Sequence, residues 1–280
     1  MRGDRVTDAQ DREALWRGLL TGEHSPIRHD RGRYKRWPGL PRCKMCLYPL
    51  GGPVARLLRI RSGRGPSRKN PNYCNVCEEF VRTHPGGIEI DLSMLFADVR
   101  GSTTIAEKMQ PSDFTSLMNQ FFRSSTKILI DSDALIDKYV GDEVIGLYLP
   151  VLVPAHPRVA IEAARRLLVD TGHRKPDGPW LPVGVGVHTG TAYVGSVGEG
   201  RVADFTAMGD AVNVTARLAS AAKAGEILVS EDAWIRGGIE GPSPPTRKVE
   251  VKGRSGSIVV RVLGESQTGT GETLLSVRKD

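Results

Sequence analysis

Two aspartates mark the places where this chain could do chemistry. Asp98 lies in the apolar run of "LFADVRGSTTIAE", just before a Gly-Ser-Thr turn that opens a helix, and Asp142 occupies a tight turn in "DKYVGDEVIG". Backbone N–H groups at a helix N-terminus point outward without intrahelical acceptors, so phosphates bind there, and an acid beside a phosphate needs a cation. Two carboxylates converging from neighbouring strand ends could hold two divalent cations, which activate a hydroxyl and steady a phosphate leaving group. Either acid alone is ordinary turn chemistry; the pairing raises the functional reading. A third stretch, "DFTAMGDAVNVTARLASAA", places Asn213 and Arg217 four residues apart and so on one helix face. An amide and a guanidinium there suit a ribose oxygen and a phosphate undergoing substitution.

The cysteines form a second candidate centre. All four fall in C-x2-C pairs, Cys43 with Cys46 and Cys74 with Cys77, separated by 27 residues. Two such pairs make a tetrahedral thiolate set suited to a structural Zn²⁺, with an iron–sulfur cluster the less favoured occupant. So short and Arg-rich a segment has little core of its own, and a metal would supply much of its folding energy.

These groups need an alternating scaffold to position them. Residues 7–21 read as a short amphipathic helix, with Ala14, Leu15, Leu19 and Leu20 at helical spacing, and "SPIRHDRGRYKRWPGLPR" reads as a linker or extended arm. The second cysteine pair leads into a helix, "EEFVR". Ile88 to Val99 is strand-like, Pro111 to Asp131 has the apolar spacing of a helix, and "ALIDKYVGDEVIGLYLP" reads as two strands around a Val-Gly-Asp turn. A helix (156–169), a strand ("LPVGVGVHTG"), a turn, a helix ("DAVNVTARLASAAK"), a short strand ("EILVS") and a hairpin ("RKVEVKGRSGSIVVRVL") follow. The implied division is a helix and basic linker over 1–42, a four-cysteine module over 43–87, a catalytic unit over 88–264, and a disordered Ser/Thr/Gly-rich tail over 265–280.

Composition narrows the class. With 39% hydrophobic and 25% charged residues the chain is an ordinary globular one, and no apolar run reaches the roughly 20 residues of a membrane helix. The charged N-terminus lacks a secretory apolar region, which implies a cytoplasmic protein. Residues 1–87 carry 18 Lys/Arg against 8 Asp/Glu, while the remainder carries 21 against 24. The basic excess of the first third would suit nucleic acid or another acidic partner, or be only a solvated surface.

"FADVRGST", "KYVGDEVIG" and "FTAMGDAVNVTARL", in this order and spacing, resemble the signatures of the class III nucleotidyl cyclase catalytic domain over about Glu89 to Leu263. The resemblance implies an α+β (α/β sandwich) fold with a ferredoxin-like core, here preceded by a zinc-ribbon or treble-clef-like module, working as a homodimer with active sites between subunits. Position by position it implies that Asp98, Asp142 and the Val99 carbonyl bind two Mg²⁺ or Mn²⁺. Gly101, Ser102, Thr103 and Thr104 would wrap the triphosphate and Lys252 would bind it, Lys138 and Thr206 would read the base, Asn213 would orient the ribose and Arg217 would stabilise the transition state. Adenine offers an acceptor at N1 and a donor at N6, whereas guanine presents N1–H and O6, so the Lys138 ammonium suits ATP. A Thr206 hydroxyl can donate or accept and discriminates less sharply than an acid would. The implied reaction is closure of ATP to 3′,5′-cyclic AMP with release of pyrophosphate. Thr191 stands where some members place an arginine, and His188 is read as a structural histidine. The rival readings are a guanylate cyclase, a nucleic-acid-binding zinc protein, and a ligand-sensing cyclase-like dimer.

Overall fold

The computed structural model describes residues 9–22, 25–68, 71–198, 203–250 and 257–264, with only the backbone of residues 9 and 138–140. Lys252, the Lys138 side chain and the tail beyond 264 therefore lie outside the described residues.

Four helices precede the sheet: α1 (Ala9–Thr21), α2 (Pro26–Tyr34), α3 (Gly52–Ser62) and α4 (Asn75–Thr83). The second corrects the expectation of an extended arm. Ile27, Arg31 and Tyr34 are buried at helical spacing, so the inward face of α2 carries an arginine where an apolar residue would have revealed the period. The guanidinium of Arg31 donates to the carbonyls of Met45 (3.1 Å) and Ala134 (2.6 Å), which makes its burial tolerable.

The sheet is built on a long antiparallel ribbon, β1 (Gly86–Val99) with β4 (Val183–Val197), paired in unbroken register from Gly86↔Ser196 to Val99↔Val183. Beside β1 run β3 (Glu143–Tyr148) and the edge strand β2 (Leu135–Val140). Beside β4 run β5 (Asp204–Met208) at one end and β6 (Ile227–Ser230) at the other, and the hairpin of β7 (Thr246–Glu250) and β8 (Ser257–Leu263) completes eight strands. β4 continues through the "HTG" segment, paired with β1 along its whole length, and the stretch that reads as a turn in the sequence contains β5, paired with β4.

Alternation sorts the layers. Leu95, Ala97 and Val99 face one core with Phe121, Ala160 and Leu167, supplied by α6 (Pro111–Asp131) and α7 (His156–Asp170), with Ala233 of α9 (Glu231–Gly237). Met94 and Phe96 face the other, which is shared with α8 (Asp210–Ala221) and with Trp16, Tyr34, Tyr48 and Tyr73 of the N-terminal segment. Trp16 stacks on Phe205 of β5 with ring centroids 5.7 Å apart, so the N-terminal helices share a core with the sheet. Close approach of α8 to β4 needs a glycine: a Cβ on Gly186 would sit 2.4 Å from the Ala219 nitrogen.

Candidate active site

Asp98 follows Met94 and Phe96 in phase and so projects from β1 on the α8 side. Its neighbour across the ladder is Glu143, and the Val99 N–H donates to the Asp142 carbonyl at 3.4 Å, which draws the β2–β3 turn against the end of β1. Asp98, Asp142 and Glu143 thus belong to one half-buried corner. Arg100 enters it: its guanidinium pairs with Asp98 and donates to the Ser220 carbonyl of α8 at 2.9 Å. Burial lowers the Arg100 pKa, against the opposing pull of Asp142 and Glu143. Burial, followed by the charge of Asp142, pushes Glu143 up to about 7. Its buried Oε1 has no hydrogen-bond partner among the described residues. Three carboxylates gathered around one guanidinium, with an oxygen of Glu143 unpartnered among the described residues, make an oxygen-rich corner that a divalent cation fits.

Immediately beyond, Gly101 adopts φ 68° and starts the short helix α5 (Ser102–Glu107), with Thr103 and Thr104 exposed. The positive φ is one that glycine takes without strain. First-turn N–H groups at Ser102, Thr103 and Thr104 have no intrahelical acceptor, so they can meet a phosphate.

On α8, Ala211, Val214, Thr215, Leu218 and Ala219 are buried, which leaves Asn213 and Arg217 exposed on the outer face. Both therefore face outward, available to a second molecule. Lys138 lies at an irregularity of the β2–β3 ladder, where Ile136 pairs with Gly146 but Tyr139 with Val144. Thr206, 7% exposed on β5, donates its hydroxyl to Asp137 at 2.9 Å, so β2 and β5 meet although they lie on opposite flanks of the ribbon. His188 is half-buried on β4 opposite Met94, and Thr191 is exposed.

The four cysteines come together as their spacing suggested: all are buried, and their sulfurs lie within 4.8 Å of one another. Hydrogen bonding from Cys43 and its other two neighbours draws Cys74 down, while the same crowding pushes Cys77 up. Four sulfurs this close cannot all ionise without a cation, so the cluster can hold a metal.

Sequence reasoning missed Lys44, Tyr73, Asp137, Asp204, Arg100 and Glu143. Asp137 is adjacent to Lys138, and Arg100 and Glu143 stand within the quoted motifs, so these were findable. Lys44 and Tyr73 were not, because their partners lie 93 to 160 residues away.

Comparison with known proteins identifies the family. The family model of the adenylate and guanylate cyclase catalytic domain matches residues 89–264, and the chain belongs to that family. An adenylate cyclase of Anabaena cylindrica is 32% identical over 134 residues, which are 45% of this chain and 26% of that protein. The chain thus spans about a quarter of the length of that relative. Among solved structures, the adenylyl cyclase CyaB from P. aeruginosa superposes with a TM-score of 0.54 at 27% identity, over 64% of this chain and 97% of that one. The guanylyl cyclase Cya2 superposes with a TM-score of 0.58 at 23% identity, over 65% and 98%. The fold is that of the class III cyclase catalytic domain, as the motifs implied. No helix among the described residues is long and apolar enough to cross a membrane.

Proposed function

We propose that this chain is an adenylate cyclase that converts ATP to 3′,5′-cyclic AMP and pyrophosphate at sites shared by two copies. The observation that carries this is the corner itself: the ladder sets Asp98 opposite Glu143 and beside the Asp142 turn, with a buried Glu143 oxygen that has no partner among the described residues and a guanidinium among the acids. Asp98, Asp142 and the Val99 carbonyl are the groups that would hold two Mg²⁺ or Mn²⁺. Bound there, such ions lower the pKa of a ribose hydroxyl and neutralise phosphate charge.

The protein's own side chains supply the rest. Gly101 to Thr104 would cradle the triphosphate with backbone N–H groups, with Lys252 as a further contact. Asn213 would orient the ribose, and Arg217 would meet charge building on the α-phosphorus, a contact whose loss slows turnover by about 100-fold or more. Lys138 and Thr206 would read adenine.

Dimerisation follows from the division of tasks. Lys138 and Asp142 are four residues apart yet serve opposite ends of the nucleotide, and Asn213 and Arg217 face outward. A homodimer supplies the acids of one subunit to the amide and guanidinium of its partner, giving two equivalent sites. The cysteine cluster is best read as structural Zn²⁺, since four buried thiols are a ligand set that completes a tetrahedral zinc site.

The test is incubation of the pure protein with ATP or GTP and each metal ion, with chromatography of the products. Cyclic AMP should dominate; cyclic GMP as the main product, or neither, overturns the proposal.

A further inference from the structure

Lys44 stands between the first two cysteines, yet its ammonium leaves the sulfur cluster and enters the sheet. With a side chain 5% exposed, it lies 3.0 Å from Asp137 Oδ1, and 3.1 and 3.2 Å from the two oxygens of Asp204. The other oxygen of Asp137, Oδ2, receives the Thr206 hydroxyl. Tyr73, just before the third cysteine, donates to Asp204 and accepts the Phe205 N–H at 3.0 Å, while its ring lies 5.9 Å from the Lys44 ammonium. Residues beside both cysteine knuckles therefore grip the strand that carries Thr206.

The consequence lies in one proton. A threonine hydroxyl has a single hydrogen to donate, and here it points to one carboxylate oxygen of Asp137 while the Lys44 ammonium donates to the other. What remains on the Thr206 oxygen is lone-pair density. That density suits the N6 amino group of adenine and opposes the O6 of guanine. Asp137 keeps its accepting role because the Lys44 ammonium holds the opposite oxygen in a buried, charge-assisted contact.

We propose that Lys44 and Asp137 are positioning residues that fix Thr206 as a hydrogen-bond acceptor, so that the four-cysteine unit helps set the preference for ATP over GTP. This rests on the assignment of Thr206 to base reading made above. It sharpens a residue whose chemistry is otherwise ambivalent, and it gives the cysteine cluster a consequence at the nucleotide.

The experiment compares the unaltered protein with Lys44→Met and Asp137→Asn, measuring kcat and KM for ATP and GTP together with displacement of a fluorescent nucleotide by each. In Asp137→Asn the amide can donate to Thr206, which turns the hydroxyl proton toward the base. Both variants should lower the ATP-to-GTP ratio of kcat/KM by about tenfold or more, mainly through KM, the scale set by one mispaired polar contact. Metal content and a melting curve show that each variant is folded. A purine riboside triphosphate, which lacks the N6 amino group, provides the same test on the unaltered protein: it should bind about tenfold more weakly than ATP. Folded variants that keep the original ratio, or equal binding of the two triphosphates, overturn the inference while leaving cyclic AMP synthesis intact. An unaltered protein that makes no cyclic AMP overturns the adenylate cyclase reading and this inference with it.

Discussion

Replacing Arg31 by methionine tests how firmly the N-terminal helices are tied to the sheet. The guanidinium is 2% exposed and donates to Met45 and Ala134, with longer contacts to the carbonyls of Lys44 (3.4 Å) and Asp133 (3.3 Å). It joins the first cysteine knuckle to the start of β2, the strand that carries Asp137 and Lys138. Methionine fills comparable volume but leaves two well-bonded carbonyls buried without donors, each worth about 1–3 kcal/mol. Removing a buried charge returns part of this, since burial has already lowered the Arg31 pKa to about 10. The net expectation is a loss of about 2–4 kcal/mol, read as a lower urea midpoint at unchanged slope. Arg31→Lys should lose nearly as much, because an ammonium cannot span carbonyls on two elements as the planar fork does. A loss under about 0.5 kcal/mol for Arg31→Met, the range of an exposed substitution, would refute the reasoning.

Three further outcomes are expected. Purified protein should carry one zinc per chain on the cysteine cluster, and Cys74→Ser or strong chelation should lower the melting temperature, since metal binding there is folding energy; metal-free protein that melts unchanged contradicts this. Arg100→Gln removes a cation from the acid corner, so Mn²⁺ binding in the absence of nucleotide, followed by electron paramagnetic resonance, should tighten severalfold; weaker binding would show that Arg100 supports the site and does not compete for it. Burial holds His156 below the ordinary imidazole range, so it is neutral when folded and gains a proton on unfolding below about pH 6.5. Stability should therefore fall as pH drops from about 6.5 toward the folded pKa, and His156→Gln should reduce that fall in urea midpoints taken at about pH 7.5 and 5.5; an unaltered pH dependence is the contrary result.

The α/β alternation was legible because strand and helix periods are written in the apolar residues. Leu95, Ala97 and Val99 alternate into one core, and the buried face of α6 repeats at helical spacing. The acid corner was legible as two turns, since Asp98 and Asp142 each sit at a strand end. What could not be read depends on contacts across the chain. Arg31 hid α2, because a charged residue at a core position breaks the hydrophobic period, and only carbonyls distant in sequence explain it. β5 is five residues long and gains its identity from pairing with β4. The Lys44–Asp137–Thr206 chain joins three segments that no local pattern connects.

The most direct test of the shared-site account is complementation. Asp98→Ala and Arg217→Ala proteins should each be dimeric and inactive alone, since each spoils both sites. Mixed and allowed to exchange subunits, they should recover about a quarter of the unaltered activity, because half of the dimers are then mixed and each holds one intact site. Persistent inactivity of a mixture shown to contain mixed dimers would contradict a catalytic centre built from the acids of one chain and the arginine of the other.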